Sequence, residues 1–97
     1  MSFYQWGYSF VGWFSSTWSL ERKAGVYVIS CNQTKILDVG ESENVRERIE
    51  DHERKDCWER QCSGTIYYAV TYISSESERR DLEKKIRNAE IPPCGEI

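Results

Sequence analysis

The sequence predicts a small α/β (α+β) domain: a three-stranded antiparallel sheet flanked by helices and preceded by an aromatic extension. Three observations predict it. Runs rich in β-branched and aromatic residues at 25–31, 35–40 and 65–73 read as strands. Helical patterns follow the second and third runs. Only "NQT" separates the first two runs, so they should pair as a hairpin. The 97 residues suit one domain with a single core.

The first strand is "GVYVISC", 25–31, and the return strand is "KILDVG", 35–40, ending at Gly40. A helix is predicted over 43–56. Asn44 with Glu47 three residues on forms a capping pair, and Val45, Ile49 and His52 make a narrow inward stripe. "KDCWERQCSG", 55–64, leads out to a turn at Ser63–Gly64. In "TIYYAVTYI", 65–73, Ile66, Tyr68, Val70 and Tyr72 line one face, with Tyr67, Ala69 and Ile73 on the other. Both faces are apolar and both should be covered. "SSESERRDLEKKIRNAE" is the second helix, capped by Ser74 or Ser75, with Leu82, Ile86 and Ala89 inward; Pro92 and Pro93 stop it. Residues 1–20 lack clean periodicity and read as a short strand or an aromatic extension, and "ERK" at 21–23 is a charged break, so that 1–23 is expected to pack on a domain of residues 24–97.

The formal net charge of −3 means that a polyanion would be held only through a local basic patch. No apolar run is long enough to span a membrane, and the aromatic N-terminus lacks the early Lys or Arg of a signal peptide. A cytoplasmic location is therefore expected. The four cysteines lack the close pairs of a zinc site, so buried free thiols are expected. A disulfide framework would need an oxidising compartment. A zinc site on His52, Cys57 and Cys62 is the remaining alternative.

A hairpin loop centred on Asn32–Gln33 would place Tyr27 and Asp38 opposite each other on one face. Arg48 and His52, four residues apart, would share a helix face at the edge of its apolar stripe. Glu83 follows the core residue Leu82 and lies at a similar edge of the second helix. These groups suit phosphodiester cleavage. An arginine clamps phosphate with two parallel bonds, a histidine or tyrosine takes a proton from water, and a carboxylate holds Mg²⁺.

"GVY" at 25–27, "DVG" at 38–40, "NVRERIEDH" at 44–52 and "DLEKKI" at 81–86 together resemble the GIY-YIG nuclease superfamily over about residues 24–95. The resemblance implies cleavage of DNA phosphodiesters with Mg²⁺ or Mn²⁺. It implies that Tyr27 lies at the reacting water, that Arg48 contacts the scissile phosphate, that His52 joins the acid–base network and that Glu83 binds the metal. Asp38 stands where the family's second motif begins with tyrosine, and is expected to assist at the metal or the proton. Gly95 stands in place of the family's late asparagine. Gly40, Arg46, Lys84 and Arg87 are the expected substrate contacts. DNA binding should be weak and salt-sensitive. The aromatic leader, with Trp6, Trp13 and Trp18, offers a surface for a second copy or another protein. The competing reading is a catalytically impaired fold that serves as a nucleic-acid- or protein-binding module.

Overall fold

The computed structural model describes residues 1–95; the last two residues of the expected 24–97 domain lie outside the described residues. In chain order the elements are β1 (Ser2–Gln5), β2 (Tyr8–Phe14), a 3-10 turn (Thr17–Ser19), β3 (Gly25–Cys31), β4 (Lys35–Ser42), α1 (Val45–Glu50), α2 (Lys55–Arg60), β5 (Ile66–Tyr72) and α3 (Glu76–Glu90). The antiparallel α+β architecture is the predicted one, but the sheet has five strands rather than three, in the order β1-β2-β5-β3-β4.

The two additional strands come from the aromatic leader. Trp6 and Gly7 both adopt positive φ, the two-residue turn that matches strand twist, and Gln5 pairs with Tyr8 across it. β2 then pairs with β5 through Val11–Val70 and Phe14–Tyr68. Phe3 stacks on Phe10 and Trp13, while Trp6 donates from Nε1 to Glu90 on α3 at 3.0 Å. Most of the leader's aromatic surface is thus taken up internally; Tyr4 and Trp18 remain exposed.

The sheet is covered on both sides, as the two apolar faces of β5 require. On one face Tyr27, Ile29, Leu37 and Val70 pack under α1 and α2, through Val45, Ile49 and Trp58. On the other, Val26, Val28, Val39 and Ala69 pack with Phe10 against Leu82 and Ile86 of α3. Leu82 and Ile86 are buried as expected, but Ala89 is exposed. Its place inside is taken by Arg79, 2% exposed, which bonds Glu41 at 2.8 Å and the carbonyl oxygens of Ile73 and Ser74.

Three local expectations are corrected. Tyr27 pairs with Gly40, and Asp38 with Ile29. The loop is centred on Gln33, since Cys31 pairs with Lys35, and a bulge between Ile29 and Ser30 shifts the register further. The two shifts add to an even number, so Tyr27 and Asp38 still share a face. The single helix over 43–56 is two helices. Asn44 caps the first as expected, accepting from Glu47 N at 3.1 Å, but the helix ends at Glu50. His52 Nδ1 then captures the Arg54 backbone N–H at 3.1 Å, a local bond that competes with helix continuation. Finally, the cysteines are not free: Cys31 is bonded to Cys62 and Cys57 to Cys94. Both sulfurs that the zinc alternative required are consumed.

Candidate active site

The site forms where β3, β4 and the break between α1 and α2 converge. Tyr27 reaches it because Gly40, its cross-strand neighbour, has no side chain. A Cβ at residue 40 would overlap Oη and Cζ of the phenol and lie 2.9 Å from Cε1. Gly40 is therefore needed for space, and it lies inside β4 rather than at its end. The phenol is 1% exposed and forms a 2.8 Å hydrogen bond with His52 Nε2.

The direction of that bond follows from the other ring nitrogen. A backbone N–H can only donate, so Nδ1 accepts from Arg54, and in a neutral ring Nε2 must carry the proton. His52 therefore donates to Tyr27, and the Tyr27 hydroxyl proton is free to point elsewhere. Burial, with Arg48 and Arg54 nearby, lowers the His52 pKa to about 4, so the ring is neutral at physiological pH. Burial also raises the Tyr27 pKa, against the opposing pull of Arg48. Tyr27 at rest is a neutral phenol with a guanidinium at its side.

Arg48 holds Glu53 with two short bonds, Nη1–Oε2 at 2.6 Å and Nη2–Oε1 at 2.8 Å. These bonds lower the Glu53 pKa to about 2. Asp38 is fully buried and meets donors on every side. Arg54 Nε donates at 2.7 Å, Trp58 Nε1 at 2.9 Å, the Val39 backbone at 2.8 Å, and Arg54 and Arg87 Nη2 each at 3.4 Å. Its oxygens are committed to the chain's own donors, which makes it a hub between α2 and α3.

Glu83 comes to the site from the far face. α3 lies under the opposite side of the sheet, but β4 is an outer strand, and Arg87 reaches past its edge. Arg87 Nη2 bonds Asp38, the carbonyl of Val39 and, at 3.4 Å, Glu83. Glu83 is half-buried; burial raises its pKa while Arg87 lowers it, and its charge is felt by Tyr27. A desolvated carboxylate with one long contact to a cation suits a divalent ion. Mg²⁺ commonly takes one or two carboxylates and leaves its other positions to water and phosphate. Glu41, whose charge also acts on Glu83, is the neighbouring acid. Among the described residues no group of three or more His, Cys, Asp or Glu is placed to hold an ion, so the protein's share of ligands would be small.

Tyr27, Asp38, Gly40, Arg48, His52, Glu83 and Arg87 are thus brought to one region. Arg46 and Lys84 are not. Arg46 bonds Glu50 at 3.3 Å and lies over Trp18, and Lys84 is exposed on α3. Gly95, at φ +96°, lies against Arg87 and Asp38, where a Cβ would come within 2.8 Å of Asp38 Oδ1. Sequence reasoning missed Glu53, Arg54 and Trp58. Arg54 lies two residues past His52, and its charge was lost in the alternating run "EDHERK".

A cleft of about 250 Å³ opens beside Arg48, lined also by Ser42, Glu43, Asn44, Glu47 and Asp51. No helix among the described residues is long and apolar enough to cross a membrane. The family model for the GIY-YIG catalytic domain matches residues 23–92, which span β3 to α3 and hold every site residue above except Gly95. The comparison with curated proteins returned no match.

Proposed function

Since the chain belongs to the GIY-YIG catalytic domain family, a nuclease superfamily, we propose that it is a divalent-metal-dependent endonuclease domain that hydrolyses DNA phosphodiester bonds. The observation that carries this reading is the buried Tyr27–His52 hydrogen bond beside Arg48. It assembles a proton-handling pair and a phosphate clamp from three separate elements.

In this mechanism Tyr27 is the group at the attacking water. Its phenolate is the form able to take a proton from water, and that charge would be stabilised by the Nε2–H of His52 and by Arg48. Burial favours the phenol at rest, so cleavage by this base should speed up as pH rises above neutrality. Arg48 holds the non-bridging phosphate oxygens, developing charge included. Glu83 would hold Mg²⁺ or Mn²⁺, which supplies electrostatic stabilisation at the phosphate when bound. Asp38 acts as a positioning residue through Arg54 and Arg87, replacing the family's tyrosine by a different solution.

DNA is the proposed partner, bound weakly because the chain carries net charge −3. The two disulfides favour an oxidising compartment over the cytoplasm as the place of action. Nicking of supercoiled DNA with Mg²⁺ or Mn²⁺ tests the function. Arg48→Ala and Glu83→Gln should each lower the rate by roughly 10²–10³-fold, the usual effect of removing one preorganised charge-stabilising group. Variants that cut as fast as the parent would overturn the assigned roles.

A further inference from the structure

The Arg48 fork is already occupied. Its partner, Glu53, is more than half exposed, yet it makes the shortest two-pronged ion pair of the site. Two further groups face the same carboxylate. Arg54 Nη1 stands 3.6 Å from Oε1, and His52 Nδ1 stands 3.7 Å from Oε2. Arg54 is aimed there because Asp38 holds its Nε at 2.7 Å and its Nη2 at 3.4 Å, leaving Nη1 as the free prong. The bend that seats His52 on Tyr27 also delivers the next residue, Glu53, to this position.

A carboxylate and a phosphodiester present the same face to a guanidinium: two anionic oxygens that accept parallel N–H bonds. We propose that Glu53 is an internal phosphate mimic. Its carboxylate fills an anion subsite walled by Arg48 and Arg54, and a substrate phosphate must displace it. Displacement is feasible because Glu53 lies outside both helices and faces solvent on one side, so rotation of its side chain alone clears the subsite. Arg54 then becomes a second substrate-contacting cation. The plug keeps two arginines paired when no substrate is bound, and it makes every incoming anion compete with a tethered carboxylate.

The identity of the displaced ligand rests on the nuclease reading, but the subsite can be tested without cleavage. Inorganic phosphate, with no metal present, is titrated against the parent, Glu53→Gln, Glu53→Ala and Arg54→Gln, following side-chain guanidinium signals by NMR. Removing the competing carboxylate should tighten phosphate binding about fivefold, in line with the loss of one partly exposed ion pair. Arg54→Gln should weaken binding relative to the parent. In the nicking assay Glu53→Gln should lower KM by a similar factor, a change that a merely structural role would not produce. Because Glu53 is largely exposed, its variants should still unfold cooperatively and lose no more stability than that one ion pair, which thermal unfolding checks. Unchanged or weaker phosphate binding by both Glu53 variants would overturn the proposal, whatever the parent does to DNA. Tighter phosphate binding with no cleavage by any variant would retain the subsite and remove the nuclease reading.

Discussion

Replacing Gly40 by alanine is the sharpest probe of how the site is built. The backbone at this position suits any residue, so only volume is at issue. The new methyl would overlap the Tyr27 ring at Oη and Cζ, in a region where the ring is 1% exposed. Overpacking one methyl into such a core costs about 1–3 kcal/mol. The phenol must move to relieve it, which also breaks the 2.8 Å bond to His52, a further loss of about 1 kcal/mol. The total of about 2–4 kcal/mol corresponds to a fall in Tm of roughly 10–20 °C for a domain of this size. Thermal unfolding followed by circular dichroism measures that fall. Nitrogen NMR of His52 reports the second half of the reasoning. The parent should show the proton on Nε2, and the variant should show a ring freed from Tyr27. A variant that melts with the parent and keeps the same His52 signals would refute the claim that Gly40 exists to clear the phenol.

Two other perturbations test the site's electrostatics. Asp38→Asn should destabilise the fold by roughly 3 kcal/mol, because it removes a buried anion facing Arg54 and Arg87 and leaves each cation with a single long contact to an acid, Glu53 at 3.6 Å and Glu83 at 3.4 Å; a denaturant midpoint equal to the parent's would contradict this. Acid should unfold the protein through His52. The unfolded imidazole takes up a proton from about pH 6.5, the folded one not until about 4, so between those values the unfolded chain binds more protons and stability falls as pH falls. The gap corresponds to a loss of about 3 kcal/mol, which His52→Asn should abolish when stability is measured by urea titration across that range.

The family core was legible because its signals are local. The alternation of β5, the β-branched run of β3 and the Asn44–Glu47 cap each state their structure within a few residues. The order of Tyr27, Arg48, His52 and Glu83 along the chain then carried the resemblance. What stayed hidden was set by contacts between distant residues. The five-strand sheet depends on Val11 finding Val70, which no local pattern announces. The disulfides depend on Cys31 meeting Cys62 and Cys57 meeting Cys94, separations of 31 and 37 residues. The break between α1 and α2 arises because His52 prefers Tyr27 and a nearby backbone N–H to helical geometry. Arg54 and Glu53 acquire their places only through that break. Asp38 illustrates the same point: its residue type is plain in the sequence, but its four donor residues, Val39, Arg54, Trp58 and Arg87, come together only in space.

The leading hairpin carries a consequence for synthesis. β1 and β2 leave the ribosome well before the strand that receives them, Ile66–Tyr72, which is made more than fifty residues later. Until then Phe3, Trp6, Phe10 and Trp13 have only each other for company, on a ribbon with two open edges. Two-strand ribbons of this kind are barely stable alone and prone to adhere to other chains. Nascent protein should therefore be sticky early and quiescent late, with the change coming when the fifth strand closes over the second.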